Sequence, residues 1–211
     1  MNTYPIAVIG GTGKSGTYLV KELLKQSYSI RLLHRDPSKV EITNPLLEVV
    51  QGDARNSKAI ENLLQGCAAV ISTLGQPKGE PSVFSQATKN ILQAMKKHGI
   101  KRYLVTTGLS VDAPGDHKNE HVQFATGWMY ENYPETTKDK QVEQELLLES
   151  NLDWTMVRLP VIVQTDELFP VAVSLEDCPG DSISAADLAR FLVGQLSDQQ
   201  YFRKSPFIAN K

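Results

Sequence analysis

The stretch VIGGTGKSGTYLVKELLKQ, residues 8–26, changes its hydrophobic period part-way along. Ile6–Ile9 is a short apolar run dominated by β-branched residues, as in a strand buried on both faces. Gly10, Gly11, Gly13 and Gly16 then arrive within seven residues, and Lys14–Gln26 takes up the spacing of a helix. In that order each glycine has a physical reason. Gly10 permits a tight turn, Gly13 lets backbone amides approach a pyrophosphate, and Gly16 lets the helix pack against the strand. The competing reading is a structural turn that is merely rich in glycine. Ser15 is placed to hydrogen-bond a phosphate oxygen, and Lys14 either adds charge there or is simply solvated.

The rest of the chain repeats the alternation. Strand-length apolar runs recur at Ile30–Leu33, Leu47–Val50, Ala68–Ile71, Tyr103–Val105 and Trp154–Val157. Helical spacing recurs at Lys58–Leu64, Val83–Lys97 and Lys138–Glu149, with Val83, Ala87, Ile91 and Ala94 on one stripe. Strands alternating with helices of this length imply right-handed crossovers. The expected fold is therefore α/β: a doubly wound parallel sheet in one domain over residues 1–211, with a small C-terminal lobe. Two segments break the pattern, Gly108–Thr136 with its Pro114 and Gly115, and Pro160–Asp181. Both are expected to be irregular and to cover the carboxyl edge of the sheet, where ligands bind in this architecture. A last helix is expected from Ser184 to Gly194 or Leu196.

Composition narrows the function. With 211 residues, 41% of them hydrophobic, the chain can bury a sizeable core, and a net charge of −2 with interspersed signs gives no basic face for nucleic acid or a membrane. A small-molecule partner is expected instead, and both a monomer and a dimer remain open. Cys67 and Cys178 are far apart and lack a C-x-x-C spacing, which fits packing residues in a reducing compartment. MNTYPIAVIGG has no basic region and too short an apolar run for a signal peptide or a span, so a cytoplasmic location is expected.

After the second strand comes LLHRDPSK. Arg35 stands where a guanidinium can hold the 2′-phosphate of NADP, and Lys39 can reach the same group. Asp36 pulls the other way if its carboxylate faces a ribose, but Asp before Pro37 also starts ordinary turns. NADPH is the expected preference. Asp53, in the GDA after the third strand, is a candidate for the adenine amino group or a cap for the next helix. The STLG at Ser72–Gly75 follows the fourth strand at the same edge.

Taken in order, IGGTGKSG, LLHRDPSKV, VVQGDA, VISTLG, NILQAMKKHGIKRYLVTTG and LLLESNLDWTMVRLPVI resemble the atypical short-chain dehydrogenases/reductases across nearly the whole chain. The likeness is to their small NAD(P)H-binding members, the flavin reductase and biliverdin-IXβ reductase group and the NmrA-like proteins, which have a Rossmann-type fold. The resemblance implies that Gly10, Thr12, Gly13, Lys14, Ser15, Arg35, Asp53, Leu74 and Gly75 line the cofactor site. Gly16, His34, Lys39, Ala54, Thr73 and Thr106 flank them. Thr107 is implied beside the nicotinamide ribose, and Pro160, Val161 and Ile162 beside the nicotinamide ring.

The departures bear on the reaction. Alcohol-oxidising relatives use Y-x-x-x-K, whereas Tyr130 and Tyr133 here are followed at that spacing by Pro134 and Thr137. Gly108 replaces the serine, and Val161 the histidine, of the biliverdin and flavin reductase group. Reduction of a flavin (FMN or FAD) or a quinone tolerates these losses, because it needs a flat acceptor held near the cofactor and a proton from water. Thr107 and Ser110 are the catalytic candidates; Tyr130, Tyr133, Lys138 and Lys140 are looser sources of a proton. His117, Glu120 and His121 lack the H-E-x-x-H order, so no metal is expected. Phe124, Trp128, Tyr130 and Tyr133 make Gly108–Thr136 a candidate lid over an aromatic acceptor, or a loop whose rings pack it down. A non-enzymatic NADP sensor of the NmrA type is the competing function.

Overall fold

A computed structural model of the protein describes residues 4–211, so the reading of the first three residues as lacking a basic region lies outside the described residues. Its elements are β1 (Ile6–Ile9), α1 (Gly16–Lys25), β2 (Ile30–His34), a 3-10 turn (Pro37–Lys39), β3 (Leu47–Gln51), α2 (Ser57–Leu64), β4 (Ala69–Ser72) and α3 (Phe84–His98). There follow β5 (Arg102–Gly108), α4 (Glu120–Asn132), α5 (Pro134–Glu149), β6 (Asp153–Leu159), β7 (Val161–Val163), β8 (Val171–Ser174), β9 (Ser182–Ser184), α6 (Ala185–Gly194) and β10 (Phe207–Asn210). Eight strands form one sheet in the order β3-β2-β1-β4-β5-β6-β10-β8, parallel except for β8, and β7 pairs with β9 beside it. The order reverses between β1 and β4, which is the switch point of a doubly wound Rossmann-type sheet.

Alternation along the strands builds two cores. Ala7 and Ile9 face the layer of Ile60, Phe84, Ile91 and Met95, from α2 and α3. Ile6 and Val8 face Leu19, Leu23, Leu188 and Leu192, from α1 and α6. Each of the larger side chains among these, when fully buried, contributes roughly 1.5–3 kcal/mol. Among the described residues no helix is long and apolar enough to cross a membrane. Cys67 and Cys178 are free and buried, and burial pushes the Cys67 thiol up to about 11.

Three expectations need correction. Gly108–Thr136 is not irregular throughout: α4 fills Glu120–Asn132, and α5 begins at Pro134 rather than Lys138. α4 escapes a periodicity reading because only Val122 on it is buried, so it has no apolar stripe to reveal. Its caps are legible, however. The Asn119 side chain accepts from the Val122 amide at 2.9 Å, and Pro134 sits at the first position of α5. Pro160–Asp181 likewise contains β7 and β8, and β10 was not anticipated at all. These strands have only three or four residues, too short for a period to show.

Candidate functional site

The glycine turn is built by close approach. A side chain at Gly10, which has φ +79°, would stand 2.7 Å from the Thr73 carbonyl, and one at Gly16 would collide with the backbone of Gly10 and Gly11. Gly13 differs, because its own amide donates to the Gly10 carbonyl at 3.0 Å. The amides of Gly11, Thr12, Lys14, Ser15 and Gly16, at the mouth of α1, have no backbone partner. A helix N-terminus with free N–H groups suits an anionic diphosphate.

A cleft of about 300 Å³ opens at this point, across the carboxyl ends of β1 to β4. Gly10, Thr12 and Gly13 form one wall, His34 and Arg35 a second, Asp53 and Ala54 a third, and Leu74 and Gly75 the fourth. Gln76 adds a buried Oε1 with no hydrogen-bond partner, an acceptor left for a ligand. The shape and donors fit a dinucleotide's phosphates and adenosine. Arg35 extends from the end of β2, with its guanidinium 2.7 Å from Glu80.

Beside the cleft, past the ends of β5 and β6, lies a second cavity of about 500 Å³. Gly108, Ser110, Pro160 and Val161 form its floor, and Phe124, Trp128 and Met129 of α4 its outer wall. Phe124 is 74% and Trp128 47% exposed, so these rings rim a cavity rather than fill the core. Tyr133 stacks edge-on against Trp128, with centroids 5.7 Å apart.

The sequence matches the NAD(P)H-binding family over residues 10–199, which spans both cavities. The chain belongs to the NAD(P)H-binding family. It is 26% identical over 195 residues to the dihydroflavonol 4-reductase of Hordeum vulgare, covering 77% of this chain and 54% of that one. The chain spans a third to a half of the length of the curated relatives it matches at this level. A short-chain dehydrogenase/reductase from Veillonella parvula DSM 2008, solved with NADP, superposes with a TM-score of 0.77 at 18% identity, covering 99% of this chain and 95% of the other. An anaerobillin reductase from Escherichia coli O157:H7 gives a TM-score of 0.80 at 17% identity, covering 98% and 97%.

Not every expected site residue of this NAD(P)H-binding protein has its side chain free at the cleft. Lys39 is outside the cleft, 3.7 Å from Asp36. Asp36 is itself spent on the 3-10 turn: its carboxylate accepts from the Ser38 hydroxyl at 2.7 Å and from the Ser38 amide at 3.2 Å. Hydrogen bonding from Ser38 holds that carboxyl below its usual range. Lys14 is exposed, Gly16 is buried in the turn, and Thr73 donates to the Gly10 carbonyl at 3.2 Å. Ile162 packs toward the core, because along β7 it alternates with the outward Val161 and Val163. Asp53 accepts from the Arg55 amide at 2.8 Å, while the α2 cap is Asn56. Among the described residues no cluster of His, Cys, Asp or Glu is placed to hold a metal.

Thr106 and Thr107 are buried at the end of β5, one step before Gly108. Of the looser candidates, Lys140 alone bonds to Thr107: its Nζ donates to Thr107 Oγ1 at 3.4 Å and sits 3.9 Å from the centroid of the Phe84 ring. Burial pulls its pKa down, against the attraction of Glu143 and Asp139. Burial pushes Glu143 the other way; it accepts from Thr88 at 2.7 Å, and its second oxygen has no partner. Asp139 caps α3, which lacks a cap of its own, by accepting from the Phe84 and Ser85 amides at 2.9 and 3.2 Å. A lysine in the same helix turn therefore faces the carboxyl end of β5.

Proposed function

We propose that the protein is an NADPH-dependent reductase of flat acceptors such as FMN, FAD or a quinone. The observation that carries this reading is the apolar cavity under Phe124 and Trp128, next to a dinucleotide-shaped cleft on the same edge of the sheet. Bound in the cleft, NADPH would supply the hydride. What the chain contributes is placement: Pro160 and Val161 bound the acceptor from below, α4 shields it from water, and Lys140 orients Thr107 and the sugar beside it. The relatives named as reductases support an oxidoreductase. The partner on this reading is a small molecule, met in the cytoplasm.

Steady-state oxidation of NADPH with FMN, riboflavin, quinones and biliverdin tests the proposal. Turnover with one of these acceptors is expected. Tight NADP binding without turnover would leave the NmrA-type sensor, which Gly108 and Val161 favour because neither brings a proton-donating side chain to the second cavity.

Arg35→Ala is expected to weaken NADPH binding by about 1.5–3 kcal/mol, the usual worth of a hydrogen bond to a charged group, and to leave NADH nearly unchanged. Titration by nicotinamide fluorescence reads both; equal losses would assign Arg35 a structural role. Trp128→Ala should raise the Michaelis constant for a flavin by about three- to tenfold, since an aromatic pair contributes about 0.5–1.5 kcal/mol beyond its area. NADPH affinity should stay within about threefold. A fall in thermal stability with unaltered flavin kinetics would make the ring a packing residue.

A further inference from the structure

Arg35 is not alone at the rim of the cleft. Arg55, two residues after Asp53, turns its guanidinium to the same place, and both arginines line the cleft wall. Between them stands the carboxylate of Glu80, while that of Asp53 lies further off, 3.5 Å from Arg55 Nη1. Glu80 Oε1 is 2.7 Å from Arg35 Nη1, and Glu80 Oε2 is 3.0 Å from Arg55 Nη1. Two guanidiniums sharing one oxyanion, with one oxygen each, form the arrangement a phosphate monoester takes. Glu80 is also ionised in this setting, because the hydrogen bond from Arg35 holds its carboxyl below the usual range.

The carboxylate is delivered by a short, separately fixed loop. The Gln76 side-chain amide donates to the carbonyls of Pro77 at 3.1 Å and of Glu80 at 2.7 Å. Arg55 Nη2 donates to the Pro81 carbonyl at 2.9 Å. The ion pairs themselves are open to water: the side chains of Arg35, Arg55 and Glu80 are 58%, 28% and 35% exposed. Pairs screened to that degree are readily exchanged.

The geometry points to Glu80 as an internal occupant of the 2′-phosphate subsite formed by Arg35 and Arg55, a carboxylate that an incoming 2′-phosphate must displace. This rests on the reading that Arg35 recognises that phosphate. A dianionic phosphate outcompetes a single carboxylate for two guanidiniums, and cannot share them with it, because like charges at that spacing repel. Glu80 therefore lowers affinity for 2′-phosphorylated nucleotides specifically and narrows the preference for NADPH over NADH.

The test uses the adenosine half of the cofactor, so that the acceptor site plays no part. Calorimetric titration of 2′,5′-ADP and 5′-AMP into wild type, Glu80→Gln, Glu80→Ala and Arg35→Ala separates the claims. Both Glu80 variants should bind 2′,5′-ADP about tenfold more tightly, while 5′-AMP stays within about twofold. Arg35→Ala should weaken 2′,5′-ADP alone. If Arg35→Ala is selective but the Glu80 variants bind 2′,5′-ADP no better, or worse, then Glu80 steadies the arginines and the displacement is overturned. If Arg35→Ala affects both nucleotides equally, the reading of Arg35 fails first and the inference with it.

Discussion

A Gly13→Asp protein is expected to fold normally and to bind no NADPH at concentrations that saturate the wild type. The backbone at Gly13 is not left-handed, and a Cβ there meets only the Gly10 carbonyl, at 3.3 Å, a tight contact that the turn relieves by shifting a few tenths of an ångström. The new carboxylate would stand among the free amides of Thr12, Lys14 and Ser15. There it does two things at once. It satisfies the donors a diphosphate would use, and it repels that diphosphate at close range, where like charges cost several kcal/mol. Gly13 lies two residues before the Ser15 cap of α1, outside the first turn, so the new charge adds little to the helix. The thermal midpoint should therefore stay close to that of the wild type while binding disappears. Circular dichroism melting and NADPH fluorescence, measured on the same sample, check the two halves; retained affinity would remove the turn from the cofactor site.

Arg158→Ala should be the most destabilising single change in the strands. Arg158 is fully buried at the end of β6, with its guanidinium carbon 3.5 Å from the centroid of the Phe207 ring. It donates to the Ser205 carbonyl at 2.8 Å, to Asp116 at 2.6 Å and to the Val111 carbonyl at 3.2 Å. Removing one partner of a buried ion pair costs about 3–5 kcal/mol, and Lys118, 4.0 Å from the same Asp116 oxygen, compensates the remaining charge only in part. For a domain of this size that is on the order of 10 °C in melting temperature. Asp116→Asn in the same background should recover part of the loss, since it removes the stranded charge. Urea melts of the two single variants and the double variant give the coupling; strictly additive losses would show that Asp116 is not the charge that matters. Acceptor binding should suffer too, because Val111 and Asp116 hold the segment that leaves the second cavity.

How much of this is legible in the sequence follows from the range of the forces involved. β1, the turn and α1 are written in adjacent residues, so their period and glycines can be read directly. The walls of the cleft are legible for the same reason: Arg35, Asp53 and Leu74 each follow a strand whose end they mark. α4 is hidden because it buries one residue, and the apolar stripe that announces a helix is missing. The partnership of Arg35 with Glu80 joins residues 45 apart in sequence, and no local pattern forecasts it. In the sequence Lys140 is one of four loose proton sources, and only its contact with Thr107, across the fold, sets it apart from Tyr130, Tyr133 and Lys138. Its neighbour Asp139 gives no hint either, since a carboxylate that caps a different helix carries no signature along its own.

The placing of β10 has a consequence for how the protein comes into being. It lies between β6 and β8, pairing parallel with the first and antiparallel with the second, and it brings Phe207 and Ala209 against Val122 and Cys178. Both neighbours are synthesised well before it. Until β10 emerges, β8 has no partner in the sheet and Val122 of α4 lacks Phe207 and Ala209 to pack on, so the wall of the second cavity stays unsupported after β1 to β4 have their partners. During translation the two halves thus mature at different times, and the unpaired edges of β6 and β8 are the surfaces a nascent chain must keep from sticking to others.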